Sequence, residues 1–422
     1  MTSPASSRSS RWLRVRTREV SCPVELLDLL PGPDDALAWV SGGEGLVGWG
    51  EAARVEASGP DRFAELDRWW RRFASEFDVQ DDVRRPGTGP VAFTSIAFAD
   101  EPGRSVLVVP RVVVGQRDGV TWITEIGGPG DGAAQVPMQR VRPVRRPTVD
   151  RYTAGQLPVV GYRDAVHKAV HRMRTGELDK VVLAHDLLAV TDGPVDARFL
   201  LRRLADRYPN CWAYAVDGLV GATPELLLRR TGRRVSSRVL AGTTWPRPGV
   251  DADELAAGLL GSAKDREEHR FAVRSLAATL SPYCAELRVP EAPTVMRLPN
   301  VLHLASEVHG RLLDGTPLLR LAEAVHPTAA VGGFPTAAAV RLIAELEPMD
   351  RGRYTGPVGW LDAEGGGELG IALRCAELGD GAVRLFAGCG IVADSDPDSE
   401  VREAAAKLVP MREALEDGTT LG

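Results

Sequence analysis

Five stretches of the chain have the sequence character of helices. Apolar residues recur at helical spacing within 61–77 and 165–173, and the stretches 196–208, 263–280 and 399–415 also fit amphipathic helices. Each of these stretches is therefore predicted to be a helix that buries one apolar face.

Other apolar runs predict strands. The runs 36–40, 91–98 and 180–190 fit single strands, and 212–230 fits two strands joined around Gly218. Strands and helices alternate without the regular rhythm of βαβ units. The sequence therefore predicts an α/β chain, for which an α+β arrangement with large antiparallel sheets fits as well as a doubly wound parallel sheet.

Serine content, a proline-flanked segment and the distribution of histidines divide the chain into three parts. Residues 1–10 are rich in serine and are expected to be disordered. The proline-flanked segment 143–147 (PVRRP) predicts a linker, and all seven histidines lie beyond residue 160. We therefore interpret residues 11–150 as an N-terminal scaffold of the same fold and residues 151–422 as the catalytic region.

Charge and cysteine usage restrict the partners. The formal net charge of −6 provides no general attraction for nucleic acid or for an anionic membrane surface, so an anionic substrate needs local cations or a metal. The five cysteines are odd in number and form no C-x-x-C pair, as in proteins of a reducing cytosol. The first residues contain no apolar signal region, and no apolar run is long enough to span a bilayer. We expect a cytoplasmic protein without nucleic-acid or membrane partners.

Two residues are candidates for proton transfer. Lys180 opens an apolar strand, and a lysine that faces a desolvated pocket has a lowered pKa and can act as a general base. Glu225 lies between Pro224 and three leucines in GATPELLLRR, where apolar surroundings raise the pKa of a carboxyl group and keep it protonated. The alternatives are a solvated lysine at a strand end and a glutamate that hydrogen-bonds locally.

Carboxylates on two predicted helices are candidate metal ligands. Glu268 lies in KDREEHR, and Glu400 and Glu403 share one face of the last helix with Lys407. Carboxylates from separate helices are suitable ligands for Mg²⁺, which also binds anionic oxygens of a substrate. The alternative is an exposed salt bridge between residues four apart.

A glycine-rich run near the end of the chain is a weaker signal. Gly388 and Gly390 in AGCGIV could bring backbone N–H groups close to an anion, or could simply form a tight turn. The sequence contains no nucleotide-binding loop, no H-E-x-x-H and no G-x-S-x-G, so ATP, NAD and zinc-protease chemistries have no support.

Taken together, many ordered motifs from about residue 160 to 415 resemble the chorismate-utilising enzymes. That family includes isochorismate synthase, salicylate synthase, the large subunit of anthranilate synthase and aminodeoxychorismate synthase. The resemblance is carried by LDKVVLAH, GATPELLLR, LAGT, SAKDREEH, LHLASEVHG, HPTAAVGGFP, RGRYTGPVGW, IALRCAEL and AGCGIVADSDPDSEVREAAAK. It implies two large, mainly antiparallel sheets packed together, with helices outside and the active site in a cleft.

The resemblance also implies roles for individual residues. Lys180 corresponds to the base that activates water, and Glu225 to the acid that protonates the departing C4 hydroxyl. Glu268 and Glu403 correspond to Mg²⁺ ligands, with Glu400 beside them. The remaining matched positions surround the substrate chorismate: Tyr354 and Arg374 at its enolpyruvyl carboxylate, with His303, Ala330, Gly388 and Lys407 elsewhere.

Three positions discriminate within the family. Lys180 stands where the ammonia-using relatives carry glutamine, and Ala241 stands where aminodeoxychorismate synthase carries a nucleophilic lysine. Ala330 stands where salicylate synthase usually carries threonine. The resemblance therefore implies a Mg²⁺-dependent isochorismate synthase, an isomerase of menaquinone or siderophore biosynthesis, expected to be a monomer. The alternatives are a salicylate synthase and an inactive chorismate-binding or regulatory protein.

Overall fold

The computed structural model describes residues 13–22, 24–127, 141–246 and 249–416. The expected disordered segment 1–10 lies outside the described residues. Segment 143–147, the predicted linker, forms neither helix nor strand.

Each of the five predicted helices is present. Within the described residues there are eight α-helices: α1 (Arg62–Ala74), α2 (Val159–Arg174), α3 (Ala197–Arg207), α4 (Ala252–Gly261), α5 (Ala263–Leu280), α6 (Leu318–Val325), α7 (Thr336–Leu346) and α8 (Pro397–Leu415). The described residues also contain 21 strands: β1 (Leu13–Glu19), β2 (Leu37–Ser41), β3 (Glu44–Ala57), β4 (Phe77–Asp81), β5 (Val91–Ser95), β6 (Ser105–Arg117), β7 (Val120–Gly127), β8 (Val149–Ala154), β9 (Lys180–Thr191), β10 (Trp212–Val216), β11 (Leu219–Thr223), β12 (Leu226–Thr231), β13 (Arg234–Thr244), β14 (Cys284–Arg288), β15 (Thr294–Leu298), β16 (Val301–Leu312), β17 (Gly333–Phe334), β18 (Pro357–Asp362), β19 (Gly367–Ile371), β20 (Cys375–Gly379) and β21 (Ala382–Ile391).

The strands form one mainly antiparallel network. Among the described residues only the pairing of β1 with β4 is parallel, which excludes the doubly wound alternative. One limb of the network runs β3–β2–β10–β11–β20–β21–β9, and the other runs β6–β5–β18–β19–β12–β13–β16. The limbs join where β3 pairs with β6. The two sheets that the resemblance implies are thus two limbs of a continuous network.

The two limbs pack against each other and helices cover their outer faces. Trp39 on β2 donates a hydrogen bond from Nε1 to Glu368 on β19 at 3.0 Å, across the space between the limbs. Helices α2, α3, α7 and α8 contact the first limb, and α5 and α6 contact the second. Helix α1 contacts β3 and β6, where the limbs join. No helix of the described ranges is long and apolar enough to cross a membrane.

The prediction of two strands in 212–230 is wrong, because this segment forms three. After β11 the chain reaches Pro224, which has no N–H to donate to a ladder, and the pairing of β12 with β19 shifts register between Leu226 and Leu228. The break leaves Glu225 outside the regular ladder at the edge of a buried cavity.

A buried ion pair fixes the strand that carries Lys180. Arg351 and Glu347, each less than a tenth exposed, pair at 2.6 Å. Arg351 also donates to the carbonyl oxygens of Val182 at 2.6 Å and Val331 at 3.1 Å, while Glu347 accepts from the N–H of Ala184 at 2.7 Å. These bonds hold β9 and the loop after α6 in a fixed relation.

Candidate active site

A cavity of about 270 Å³ lies between β9, β21, β16, α5 and α8. It is lined by all eleven residues to which the family resemblance gives a catalytic, metal-binding or substrate-binding role: Lys180, Glu225, Glu268, His303, Ala330, Tyr354, Arg374, Gly388, Glu400, Glu403 and Lys407. These residues are separated by up to 227 positions in sequence, so only the fold brings them together.

Helix caps fix where the carboxylates enter this cavity. Helix α5 begins at Ser262, whose hydroxyl accepts a hydrogen bond from the N–H of Asp265. Helix α8 begins at Asp396, whose carboxylate accepts from the N–H of Ser399 at 2.8 Å. The caps define the first turns, and therefore direct Glu268 and Glu403 toward the same space.

Lys180 is held against a carboxylate in this cavity. Its Nζ lies 2.7 Å from Oε1 of Glu268, and only 12% of the Lys180 side chain is exposed. Burial would raise the pKa of Glu268, but the charge and hydrogen bond of Lys180 hold it below the ordinary value. Lys180 is therefore largely buried and paired with a carboxylate, and it is not the solvated strand-end lysine of the alternative interpretation.

Glu225 has the environment of a proton donor. Complete burial raises the pKa of its carboxyl group from 4.5 to about 8, although the charges of Lys180 and Arg374 act in the opposite direction. The acid is thus protonated at neutral pH and lines the same cavity as Lys180.

Helix α8 contributes a compact acidic group. Carboxylate oxygens of Glu400 and Glu403 and the thiol of Cys389 lie within 4.8 Å of one another. Burial would raise the pKa of Glu403, but the charge and hydrogen bond of Lys407 hold it below the ordinary value. Burial raises the pKa of Glu400, and the charge of Glu403 adds to this effect. The pKa of Glu403 is therefore lowered, which favours its ionised form, whereas the pKa of the neighbouring Glu400 is raised, which favours its protonated form.

Lys407 contacts both Glu403 of this acidic group and the neighbouring strand β21. Its Nζ lies 2.7 Å from Oε1 of Glu403 and donates to the carbonyl oxygen of Gly388 at 3.0 Å. Burial would lower the pKa of Lys407, but its acidic neighbours Cys389 and Glu403 raise it. Lys407 is therefore cationic and connects α8 to β21. The salt bridge between residues four apart is present, but it is partly buried, with 13% of the Lys407 side chain and 31% of the Glu403 side chain exposed.

Tyr354 and Arg374 approach the cavity from two loops. Tyr354 is buried with its ring stacked on Phe386 at 5.0 Å between centroids, and burial raises the pKa of its phenol. Arg374 adopts the left-handed backbone conformation, with φ of 48°, which is uncommon for a non-glycine residue. The pair offers a neutral hydroxyl donor and a permanent cation.

His303 is a neutral donor or acceptor and not an acid–base catalyst at neutral pH. Burial, together with the charges of Arg374 and Lys407, lowers its pKa to about 3. Its Nδ1 lies 3.0 Å from Oγ1 of Thr243, which fixes the orientation of the ring.

The cavity also includes residues that the sequence analysis missed. Lys264, Asp265 and Thr243 line it. Lys264 stands four positions before Glu268 and lowers the pKa of that carboxyl, so helical spacing could have identified it. All lining residues fall between 180 and 407, and the scaffold role of residues 11–150 remains an interpretation.

A larger cavity of about 460 Å³ does not gather comparable groups. It lies among residues 33–54, 142–145, 194–198 and 215–220, with residues 378–380 at one side. Its buried cation Arg198 pairs with Asp196 at 2.6 Å, and Arg54 pairs with Asp217 at 2.5 Å. These charged groups are paired with each other. The smaller cavity, which gathers the predicted catalytic and metal-binding residues, is therefore the candidate active site.

Comparisons with known proteins agree with this geometry. A family model described as "Chorismate binding enzyme" matches residues 39–416. The salicylate biosynthesis isochorismate synthase of Pseudomonas aeruginosa is 33% identical over 425 residues, which cover 93% of this chain and 88% of that protein. Isochorismate synthase DhbC of Bacillus subtilis is 40% identical over 268 residues, covering 60% of this chain and 67% of that protein.

Solved structures give the same picture. The structure of MenF, the menaquinone-specific isochorismate synthase from Escherichia coli, matches with a TM-score of 0.79 and 25% sequence identity. The match covers 96% of this chain and 95% of that chain. The similarity therefore extends through the N-terminal third, where the sequence motifs are few.

Proposed function

The chain belongs to the chorismate-binding enzyme family, and from this premise we propose that it is an isochorismate synthase, a Mg²⁺-dependent isomerase that converts chorismate to isochorismate. One observation carries the proposal: a protonated acid, Glu225, and a lysine, Lys180, line the same 270 Å³ cavity. Moving a hydroxyl group from C4 to C2 needs an acid and a base together.

The proposed reaction consumes one water molecule and releases another. A water molecule attacks C2 while Nζ of Lys180, in its neutral form, accepts a proton from it. The C4 hydroxyl departs as water with the proton that Glu225 donates, and the ring double bonds shift between these two positions. Lys180 ends protonated and Glu225 ends ionised, and proton exchange with solvent restores both groups.

Substrate capture is proposed to depend on local cations, because the chain as a whole is acidic. Chorismate carries two carboxylates. Arg374 can bind one of them through two parallel hydrogen bonds, and the Tyr354 hydroxyl can donate to the same group. Burial dominates the pKa of both Glu225 and His303, but the charge of Arg374 opposes the rise for Glu225 and adds to the fall for His303. These effects support a position of Arg374 near both groups.

The carboxylates of α5 and α8 fit a magnesium site. Glu268, Glu400 and Glu403 supply the oxygen ligands that Mg²⁺ prefers, and Glu268 and Glu403 have lowered pKa values and are ionised at neutral pH. We propose that Glu268 and Glu403 hold the ion with Glu400 beside them. Bound there, Mg²⁺ would supply positive charge for the ring carboxylate.

Residues at three positions favour isomerisation over related reactions. Position 180 is a lysine, which suits water as the nucleophile. Ala241 and Ala330 both line the cavity, so position 241 offers no amine and position 330 offers no hydroxyl. We therefore propose that pyruvate is retained and that isochorismate is released, for menaquinone or siderophore biosynthesis.

Chromatography of the products tests this proposal. Purified protein is incubated with chorismate and Mg²⁺, with an EDTA-treated sample as the control. Isochorismate in equilibrium with chorismate, lost on addition of EDTA, is the expected result. Salicylate with pyruvate would instead identify a salicylate synthase, and no turnover would favour an inactive binding protein.

We also propose that the protein is a cytoplasmic monomer. The location rests on the free cysteines and the oligomeric state on the family resemblance, and size-exclusion chromatography tests the oligomeric state.

A further inference from the structure

Gly390 lies beside the side chain of Lys180. On β21, Gly388 and Gly390 are two positions apart, and both line the cavity, whereas Cys389 between them is buried. Gly390 pairs with Val182 on β9, so Lys180 is its diagonal neighbour across the strands. The lysine side chain reaches its partner Glu268 across the surface that Gly390 leaves open.

The space over Gly390 is occupied by the lysine itself. A Cβ atom built at position 390 would lie 2.8 Å from Cε of Lys180, 3.3 Å from its Nζ and 4.0 Å from Oε1 of Glu268. Ordinary carbon–carbon contacts are about 3.5–4.0 Å. A side chain at position 390 is therefore incompatible with the observed position of Lys180.

We propose that Gly390 is a positioning residue for Lys180: the missing side chain forms a slot that holds the lysine amino group beside Glu268 and facing the substrate. The inference rests on the proposed function only where it speaks of turnover. The slot itself is a matter of packing between β21, β9 and α5.

A requirement for backbone freedom does not explain this glycine. Gly390 has no positive φ, so its backbone conformation is one that alanine adopts without strain. The atoms nearest to the added Cβ belong to side chains, and the first of them is the far end of a flexible lysine. Gly388 differs, because a Cβ there would lie 2.4 Å from the carbonyl oxygen of Leu183 and would disturb the pairing of β21 with β9.

The Gly390→Ala variant separates positioning from folding. Restoring normal contact displaces the end of Lys180 by about 1 Å, and misplacement of a catalytic group by this much can cost about 100-fold in rate. We expect kcat for chorismate with Mg²⁺ to fall about 30- to 100-fold, following the same relation. We expect KM for chorismate to change less than about threefold, because Arg374 and Tyr354 lie elsewhere in the cavity.

Two readouts distinguish the slot from other effects of a methyl group. A crystal structure of Gly390→Ala is expected to show Nζ of Lys180 displaced from Oε1 of Glu268. Chorismate affinity, measured by calorimetry in a Lys180→Ala background, is expected to be the same with glycine or alanine at position 390. A weaker affinity in that background would show that the methyl group contacts substrate directly, which would overturn the proposal.

The matched control is Gly258→Ala on α4, where an added Cβ meets nothing within 4 Å. This control is expected to keep full activity and thermal stability, and Gly390→Ala is expected to keep its stability as well. Unchanged kcat, or an undisplaced Lys180 in the crystal structure, would refute the positioning role. If the wild-type chain does not convert chorismate, the proposed function fails, and the crystal structure still decides whether the slot exists.

Discussion

Replacing Glu225 with glutamine is expected to inactivate the enzyme and to stabilise its fold. Glutamine keeps the shape of the protonated acid but has no proton to donate. Loss of a general acid typically reduces kcat by about 100- to 10,000-fold. In the wild type, kcat/KM is expected to fall as the pH rises through about 8, because Glu225 then loses the proton that we propose it donates.

The gain in stability follows from the raised pKa of Glu225. An ordinary glutamate has a pKa of 4.5, whereas the folded protein binds the proton of Glu225 up to about pH 8. Below pH 4.5 both states are protonated and the carboxyl group costs nothing. Between these values the unfolded chain ionises and the folded chain does not, so stability is lost at about 1.4 kcal/mol for each pH unit. At pH 7 the glutamine variant is therefore expected to be more stable by about 3 kcal/mol.

Thermal unfolding at several pH values measures this effect. For a chain of 422 residues, 3 kcal/mol corresponds to an increase in Tm of about 3 °C. The gain is expected to shrink to below about 1 kcal/mol at pH 5, which is only about half a pH unit above the pKa of 4.5 of the unfolded glutamate. A stabilisation that does not change between pH 5 and pH 8 would refute the assignment of a raised pKa to Glu225. Full activity of the variant would remove Glu225 as the acid.

Glu368 is the matched control, because its carboxyl group is also buried but has a lowered pKa and is ionised, whereas that of Glu225 is protonated. Burial would raise its pKa, but Arg229, Arg117 and the Nε1 hydrogen bond of Trp39 hold it below the ordinary value. Its stabilisation is therefore present above the ordinary pKa and is lost as the pH falls. Glu368→Gln is expected to destabilise the fold at pH 7 by about 1.5–3 kcal/mol, since the partly exposed Arg117 and Arg229 lose charge-assisted hydrogen bonds to a buried carboxylate.

Three further variants test other parts of the account. Lys180→Ala is expected to abolish turnover while chorismate and Mg²⁺ still bind in calorimetry, and a fully active variant would remove Lys180 as the base. Glu403→Ala is expected to weaken Mg²⁺ dependence and substrate binding together, because both are proposed to bind in the cavity that Glu403 lines. An unchanged Mg²⁺ titration would place the metal elsewhere. Glu347→Ala is expected to cost about 3–5 kcal/mol in denaturant unfolding, because it leaves the charge of Arg351 buried and unpaired, and a loss below 1 kcal/mol would contradict this reading of the pair.

Local patterns were sufficient to predict five of the eight α-helices of the described residues, whereas α4, α6 and α7 were not predicted. Their apolar spacing survives in the fold, as in α5, where Ala272, Val273 and Leu276 are buried. Strand count was harder to predict, because β11 and β12 are separated only by Pro224 and Glu225. Which strands pair, and that the two limbs join through β3 and β6, depends on contacts between distant segments that no local pattern contains.

The residues of the candidate site were predictable, but their interactions were not. Family motifs identified Lys180 and Glu268 separately, yet their ion pair joins residues 88 positions apart. The slot over Gly390 is equally invisible in sequence, because a glycine in a strand gives no sign of which side chain fills the space it leaves. Motifs give the chemistry of a site, whereas distances and protonation come from the packing around it.

Isotope labelling tests the central claim most directly. Chorismate and Mg²⁺ are incubated with the protein in H₂¹⁸O, and the separated product is analysed by mass spectrometry and NMR. The expected product is isochorismate with one ¹⁸O atom, in the hydroxyl group at C2. The oxygen of the original C4 hydroxyl is expected to leave as water. Isochorismate without label would contradict attack by water, and failure to form isochorismate at all would contradict the proposed function.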